Sequence, residues 1–231
     1  MTIYGRNAVR EALRGGRRPV SDVWATAGAA RESWLRGVPV SEVGAQDIAR
    51  RAGTDAHQGI CAMAGPYPYA DAESLLEAEE PLIVALDEVQ DPQNLGAICR
   101  TAECAGATGV VVPERRSAEV TPAVCKASAG AVEHLALARV RNLADFLADA
   151  KEAGCWRYGA AAEGAVPYTQ PDWRGGLVLV MGGEGKGLRP RVAASCDELV
   201  ALPMRGRISS LNVSAAAAAL LYGILQLRGD S

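Results

Sequence analysis

Leu82-Ile83-Val84-Ala85-Leu86 is the stretch whose reading decides the fold. Five consecutive apolar residues closed by Asp87 describe a strand buried on both faces, which occurs where helices cover a parallel sheet. The residues downstream continue that pattern. Residues 95–105 have helical character, and Gly109-Val110-Val111-Val112 is a second apolar strand. Further strands are expected at 135–140, 156–160, 177–181 and 199–202, with helices at 122–130, 143–153 and 210–227. Strands alternating with helices argue for an α/β fold built on a parallel sheet. Ligands in such folds bind beyond the carboxyl ends of the strands, so the segments just after each strand carry the most information.

Upstream, the first 63 residues form a smaller α/β unit, with helical character at 7–13 and 45–52 and extended pieces at 23–25 and 59–63. Gly65-Pro66-Tyr67-Pro68-Tyr69 follows, and then eight acidic residues with no basic one between Asp71 and Asp91. Prolines and a charge run mark a boundary. The expected division is a small unit over 1–64, a linker over 65–80 and a larger domain over 81–231.

Hydrophobic residues make up 49% of the 231-residue chain and charged residues 22%, a globular balance that excludes a disordered chain. With a single Phe, the core must come from Ala, Val, Leu and Ile. Six scattered cysteines without a CxxC pair and only two histidines give the expectation of no disulfide framework and no metal site. The opening residues carry Arg6, Arg10 and Glu11 and no apolar core, unlike a secretory signal. The apolar stretch 213–225 is shorter than the roughly 20 residues that span a bilayer. A cytoplasmic protein without membrane contact is expected.

The net charge of -3 is unevenly distributed. Residues 1–70 hold nine arginines against six acids, whereas 71–231 hold fifteen basic and twenty-one acidic residues. Arg6, Arg10, Arg14, Arg17 and Arg18 cluster against a lone Glu11. Such a cluster fits contact with a polyanion, since arginines that neutralise phosphates release condensed counterions. It also fits a solvated helix face.

Three segments after strands stand out. In the first, Asp91-Pro92-Gln93-Asn94-Leu95-Gly96, Asn94 suits a helix N-cap. Arg100 then falls among Ala97, Ile98 and Ala102, as either a snorkelling side chain or a functional cation. The second, Met181-Gly182-Gly183-Glu184-Gly185-Lys186-Gly187-Leu188, is a glycine-rich turn that lets a ligand approach the backbone. It lacks the Ser or Thr of a P-loop and the spacing of a dinucleotide fingerprint, and a plain tight turn fits it equally. The third is Leu202-Pro203-Met204-Arg205-Gly206-Arg207-Ile208-Ser209-Ser210-Leu211-Asn212-Val213-Ser214. Ser209 or Ser210 can cap the Ala/Leu helix that follows, but Asn212 in its apolar start needs a hydrogen-bond partner.

In this order and spacing, the three segments resemble the signature motifs of the SpoU (TrmH-type) RNA ribose methyltransferases. Tyr4-Gly5-Arg6-Asn7-Ala8-Val9-Arg10 and His57-Gln58-Gly59-Ile60 resemble the small substrate-binding domain of that family's ribosomal RNA guanosine branch. The resemblance implies a C-terminal trefoil knot in the parallel sheet, which general rules of topology disfavour, and a small N-terminal RNA-binding domain. It implies S-adenosylmethionine as cofactor, with Gly182, Gly183, Gly187, Leu202, Met204 and Leu211 around it. It implies catalytic roles for Arg100, Asn94, Glu184, Ser210 and Asn212, a homodimer whose active site is completed at the subunit interface, and RNA as partner. The implied activity is 2'-O-methylation of a ribose, a guanosine in 23S ribosomal RNA. The alternatives are a transfer RNA guanosine 2'-O-methyltransferase, a resistance methylase acting on a ribosomal adenosine, and a non-catalytic RNA-binding protein that kept the fold.

Overall fold

Four strands build one sheet of this protein and seven the other. The computed structural model describes residues 1–161, 165–183, 185 and 187–229. The first unit contains β1 (Thr2–Tyr4), α1 (Arg6–Gly15), β2 (Val20–Ala25), β3 (Val40–Glu42), α2 (Ala45–Ala52) and β4 (Ile60–Ala64). Its four strands lie in the order β1-β4-β2-β3, with only the β2–β3 pair parallel. Helix α1 turns Ala8, Val9 and Ala12 into the core and ends at Gly16, whose left-handed backbone suits a helix C-terminus. β1 and β3 lie outside the sequence expectation, because three residues are too few to display a two-residue period.

The second unit follows the expected alternation: β5 (Leu82–Asp87), α3 (Pro92–Cys104), β6 (Gly109–Pro113), α4 (Pro122–Ala127), β7 (Ala136–Val140), α5 (Leu143–Glu152) and β8 (Trp156–Ala160). After these come β9 (Val166–Pro167), β10 (Leu177–Gly182), α6 (Pro190–Ala193), β11 (Glu198–Ala201) and α7 (Val213–Arg228). All seven strands are parallel, in the order β7-β6-β5-β10-β8-β11-β9. Alternate residues of β5 and β10 serve opposite layers. Leu82, Val84, Leu86, Leu177, Leu179 and Met181 face the layer of α3 and α7, while Ile83, Ala85, Val178 and Val180 face the layer of α5. That double burial is why these strands read as unbroken apolar runs. The insertion of β10 between β5 and β8 and the return of α7 onto α3 are compatible with the threaded C-terminal segment implied above.

The first unit does not hang from a free tether. Its apolar core is continuous with the α3 side of the large sheet. The joining residues are packed: the Tyr67 hydroxyl donates to the Val132 carbonyl at 2.8 Å, and Ala70 bridges to Ala138 beside β7. Arg17, counted above in the polyanion cluster, donates instead to the Leu135 carbonyl at 2.7 Å. Arg18 is also taken from that cluster. It forms a two-pronged pair with Glu133 in which both side chains are 1% exposed, and it donates to the Gly65 carbonyl at 3.1 Å. Burial alone would lower the Arg18 pKa, but the hydrogen bonds and charge of Glu133 outweigh it and hold the guanidinium more firmly protonated.

Removing one member of a buried pair leaves the other charge without water or partner. Arg18→Met is therefore expected to lower unfolding stability by about 3–5 kcal/mol, and the double variant R18M/E133L to regain most of that loss. Urea unfolding followed by circular dichroism measures both. A loss of about 1 kcal/mol or less, the value of an exposed pair, would contradict the assignment.

Candidate active site

At the carboxyl edge of the large sheet, three chain segments converge on the ends of β5 and β10. Asp87 ends β5 and is buried. Its carboxylate accepts from the Arg189 backbone N–H at 2.8 Å and from Arg189 Nε at 2.7 Å. The hydrogen bond to Asp87 raises the Arg189 pKa, so the guanidinium stays charged and the link persists across the neutral range. This pairing joins residues 102 apart and pins the far end of the glycine-rich segment over β5.

The glycines of that segment are demanded by close approach. A Cβ on Gly182 would lie 2.3 Å from the Gly187 carbonyl carbon, and one on Gly183 would lie 2.7 Å from the Glu88 carbonyl oxygen. Gly183 and Gly187 form a bridge that folds the segment back on itself. Gly187, at φ +64, is in the left-handed region, and open space surrounds the position its Cβ would take. The result is a tight turn with an accessible outer backbone. Glu184 and Lys186 lie outside the described residues.

Helix α3 begins with Asp91, not Asn94, as its cap. The Asp91 side chain accepts from the Gln93 N–H at 2.9 Å, and Pro92 occupies the first helical turn, where its missing N–H costs nothing. Asn94 sits in the first turn and is buried, and its amide makes a tertiary contact. Asn212 Nδ2 donates to Asn94 Oδ1 at 3.0 Å. Asn212 is itself the N-cap of α7, its Oδ1 accepting from the Ser214 N–H at 2.9 Å and the Ala215 N–H at 3.4 Å. The helix therefore starts at Val213, and the capping expected of Ser209 or Ser210 falls to Asn212. A cap has a non-helical backbone at the solvent edge, so Asn212 is exposed and not an amide inside an apolar helix. The neighbouring Gly96 admits α4: a Cβ there would lie 2.5 Å from that of Ala127.

The structure thus brings Asn94, Asn212, Gly182, Gly183 and Gly187 to one edge. Leu202 is half-buried there, while Met204, Ile208, Ser210 and Leu211 are exposed along 203–212. Arg100 is placed elsewhere. Six residues beyond Asn94 on α3, it is about 9 Å further along the helix and a third of a turn around it. It is exposed rather than embedded among its apolar neighbours, and it lines a cavity shared with Asn7, Arg10, Glu103 and His134 of the seam between the two units. The Asp87–Arg189 link and this seam cavity escaped sequence reasoning. Asp87 was visible as a polar residue closing an apolar strand, but nothing local identified its partner. Among the described residues no group of three or more His, Cys, Asp or Glu could hold a metal ion, and no helix is long and apolar enough to cross a membrane.

Comparison with known proteins completes this description. The profile of the SpoU rRNA Methylase family matches residues 81–222, and that of an RNA 2'-O ribose methyltransferase substrate-binding domain matches 2–70. YacO of Bacillus subtilis (strain 168), which carries the name of a TrmH family tRNA/rRNA methyltransferase, is 38% identical over 98% of this chain and 95% of its own length. Among solved structures, the SpoU methyltransferase AviRb from Streptomyces viridochromogenes in complex with AdoMet superposes with a TM-score of 0.84 at 27% identity, over 100% of this chain and 91% of that one. An AdoMet-bound rRNA methyltransferase from Sinorhizobium meliloti gives 0.82 at 28% identity, over 97% and 86%. A TrmH/SpoU tRNA modifying enzyme from A. aeolicus gives 0.60 at 26% identity and covers 69% of this chain and 81% of its own.

The contacts at Gly182 yield a direct expectation. Gly182→Ala forces the Gly187–Leu188 backbone away and is expected to cost about 1–3 kcal/mol, as overpacking of a tight site does. Thermal unfolding measures it, and an unchanged melting temperature would show that the turn is not as close as described.

Proposed function

The chain belongs to the SpoU rRNA methylase family, and from that membership we propose that it methylates a ribose 2'-hydroxyl of large-subunit ribosomal RNA, at a guanosine, using S-adenosylmethionine. The observation that carries the ribosomal assignment is the first unit, locked to the catalytic sheet through Arg18 and Glu133. The ribosomal RNA enzyme from Sinorhizobium meliloti aligns along nearly the whole chain, whereas the tRNA enzyme leaves about a third of it unmatched.

The residues at the sheet edge fit the cofactor. The turn at Gly182–Gly187 and the segment 202–211 offer accessible backbone N–H and C=O groups, and Met204 and Leu211 offer exposed apolar surface. These suit a purine nucleoside carrying a short aliphatic chain. When bound, S-adenosylmethionine supplies a methyl group on an electrophilic sulfonium. The chain must then align a weak nucleophile and assist the loss of its proton. Arg100 cannot act as a simple base, because a guanidinium stays protonated. Its N–H groups hold phosphate and stabilise the alkoxide developing at O2'. Asn94 and Asn212, bonded to each other, fix the start of α7 against α3 and so position the cofactor and ribose pockets. Glu184 and Ser210 are assigned to the same site by the family pattern. The protein acts as a cytoplasmic homodimer. Helix α7 leaves Tyr222 and Leu227 exposed beside buried Leu220, Leu221 and Ile224, and a second copy covering that face would join Arg100 to a cofactor edge it does not reach alone.

Purified protein given labelled S-adenosylmethionine with unmodified ribosomal RNA and, separately, transfer RNA is expected to methylate one guanosine ribose in large-subunit RNA. Label in transfer RNA alone would overturn the ribosomal assignment, and no transfer to either would overturn the activity. Arg100→Lys keeps the charge but loses the planar fork. It is expected to retain RNA binding and lower turnover by about 10²-fold, in the range for loss of an oxyanion donor. Unchanged turnover would remove Arg100 from the chemistry.

A further inference from the structure

Resting on the reading of this chain as an RNA methyltransferase, we propose that the seam between α1 and α3 is the track of the substrate strand. Arg6, Arg10 and Arg14 carry successive phosphates of a single-stranded RNA segment along α1 past Arg100. The cavity between the helices receives the nucleotide next to the one methylated.

The spacing comes first. Positions 6, 10 and 14 are four residues apart, so they lie on one face of α1 with a rise of about 6 Å between neighbours. Of the five clustered N-terminal arginines, Arg17 and Arg18 are used in docking the two units. The remaining three keep their side chains in reach of solvent, 50% exposed at Arg6, 35% at Arg10 and 62% at Arg14.

Charge comes next. Arg6 pairs with Glu32 at 2.7 Å. Arg10 and Arg14 share the single carboxylate of Glu11, at 2.6 and 3.8 Å, and His134 Nε2 lies 3.0 Å from its other oxygen. Burial would raise the Glu11 pKa, but the hydrogen bonds from His134 and Arg10 prevail and keep the carboxylate ionised. One carboxylate serving two arginines leaves a positive surplus along the helix. The arginine side of each pair is at least a third exposed and so screened by solvent, and the guanidiniums can exchange carboxylate for phosphate, which they bind bidentately.

The shape completes the argument. The cavity, about 380 Å³, falls within the range of small-ligand sites. Asn7, Arg10 and Glu11 line it from α1, Arg100 and Glu103 from α3, and Ser128 and Ala129 from the end of α4. An amide and a carboxylate facing inward can read the edge of an unstacked base, the usual target of RNA recognition. The walls are held at a set distance. A Cβ on Gly130, at φ +89, would lie 2.6 Å from the Glu11 Cβ, so α1 rests directly on the turn after α4. Arg100 is therefore set beside Arg10, midway along the track, by the docking of the two units.

The test is the salt dependence of binding to a fluorescein-labelled single-stranded RNA of mixed sequence, followed by anisotropy. Losing three phosphate contacts in R6Q/R10Q/R14Q is expected to reduce the slope of log K against log salt by about 2, and R14Q alone by about 0.7. Arg50, 77% exposed on α2 and far from the seam in sequence, serves as control, and R50Q is expected to leave the slope unchanged. In methyl transfer the triple variant is expected to raise KM for RNA at least tenfold with kcat and cofactor binding near wild type. An unchanged slope in the triple variant, an equal loss in R50Q, or wild-type protein that binds no single-stranded RNA would each overturn the track. Wild-type protein that binds this RNA but transfers no methyl group to ribosomal or transfer RNA would overturn the enzymatic reading instead, while the slopes still decide the track.

Discussion

A buried arginine and glutamate, Arg18 and Glu133, meet where the two sheets of this protein come together, and the position of the smaller sheet depends on them. Two charges taken out of water are tolerable only when each satisfies the other. Here the guanidinium also reaches the Gly65 carbonyl and lies over the Tyr67 ring, 5.5 Å from its centre. That set of contacts draws in the end of the small unit, the residues joining it to the large one, and the turn after α4. A small domain on a flexible tether would search for RNA independently of the catalytic sheet. In this arrangement α1 has one orientation relative to α3, and whatever binds α1 is presented to Arg100 at a fixed distance.

Helix α3 consequently serves two surfaces. Its first turn, through Asn94, joins the cap of α7 and the glycine-rich turn at the carboxyl edge of the sheet. Its later turns carry Arg100 and Glu103 into the seam beside α1. The separation along one helix axis keeps the carboxyl edge of the sheet and Arg100 apart within a single chain. Under the proposed dimer, the exposed apolar faces of 203–212 and α7 are the surfaces through which a second copy would bring the halves of the site together.

The elements most legible in the sequence were those buried on both sides. Leu82–Asp87 and Leu177–Gly182 declare themselves because every residue must be apolar when helices cover both faces. The glycine-rich segment was legible as a tight turn or a place of ligand approach, and the contacts around Gly182 and Gly183 show the tight turn. The caps were harder to assign. Asn94 and Ser209 or Ser210 were chemically suitable N-caps, yet Asp91 and Asn212 hold those positions. Several neighbouring polar residues suit a cap equally, and the choice among them is made by which side chain tertiary packing leaves at the helix end. The short strands β1 and β3 gain their definition from pairing with β4 and β2, which no local pattern announces.

The arginines show the same division most sharply. Composition alone placed an excess of positive charge in the first 70 residues, and helical spacing alone put Arg6, Arg10 and Arg14 on one face. Which arginines face solvent and which join the core depended on partners far along the chain: Glu133 for Arg18 and the Leu135 carbonyl for Arg17. The sequence by itself determined the alternation of strands and helices, the glycine turn and the motif residues, because each of these is encoded in residues adjacent to one another. Only the tertiary structure decided the Asp87–Arg189 link, the docking of the small unit and the placement of Arg100 in the seam. Each of these is a pairing across a large sequence separation, whose energy exists only once the chain has brought both partners out of water together.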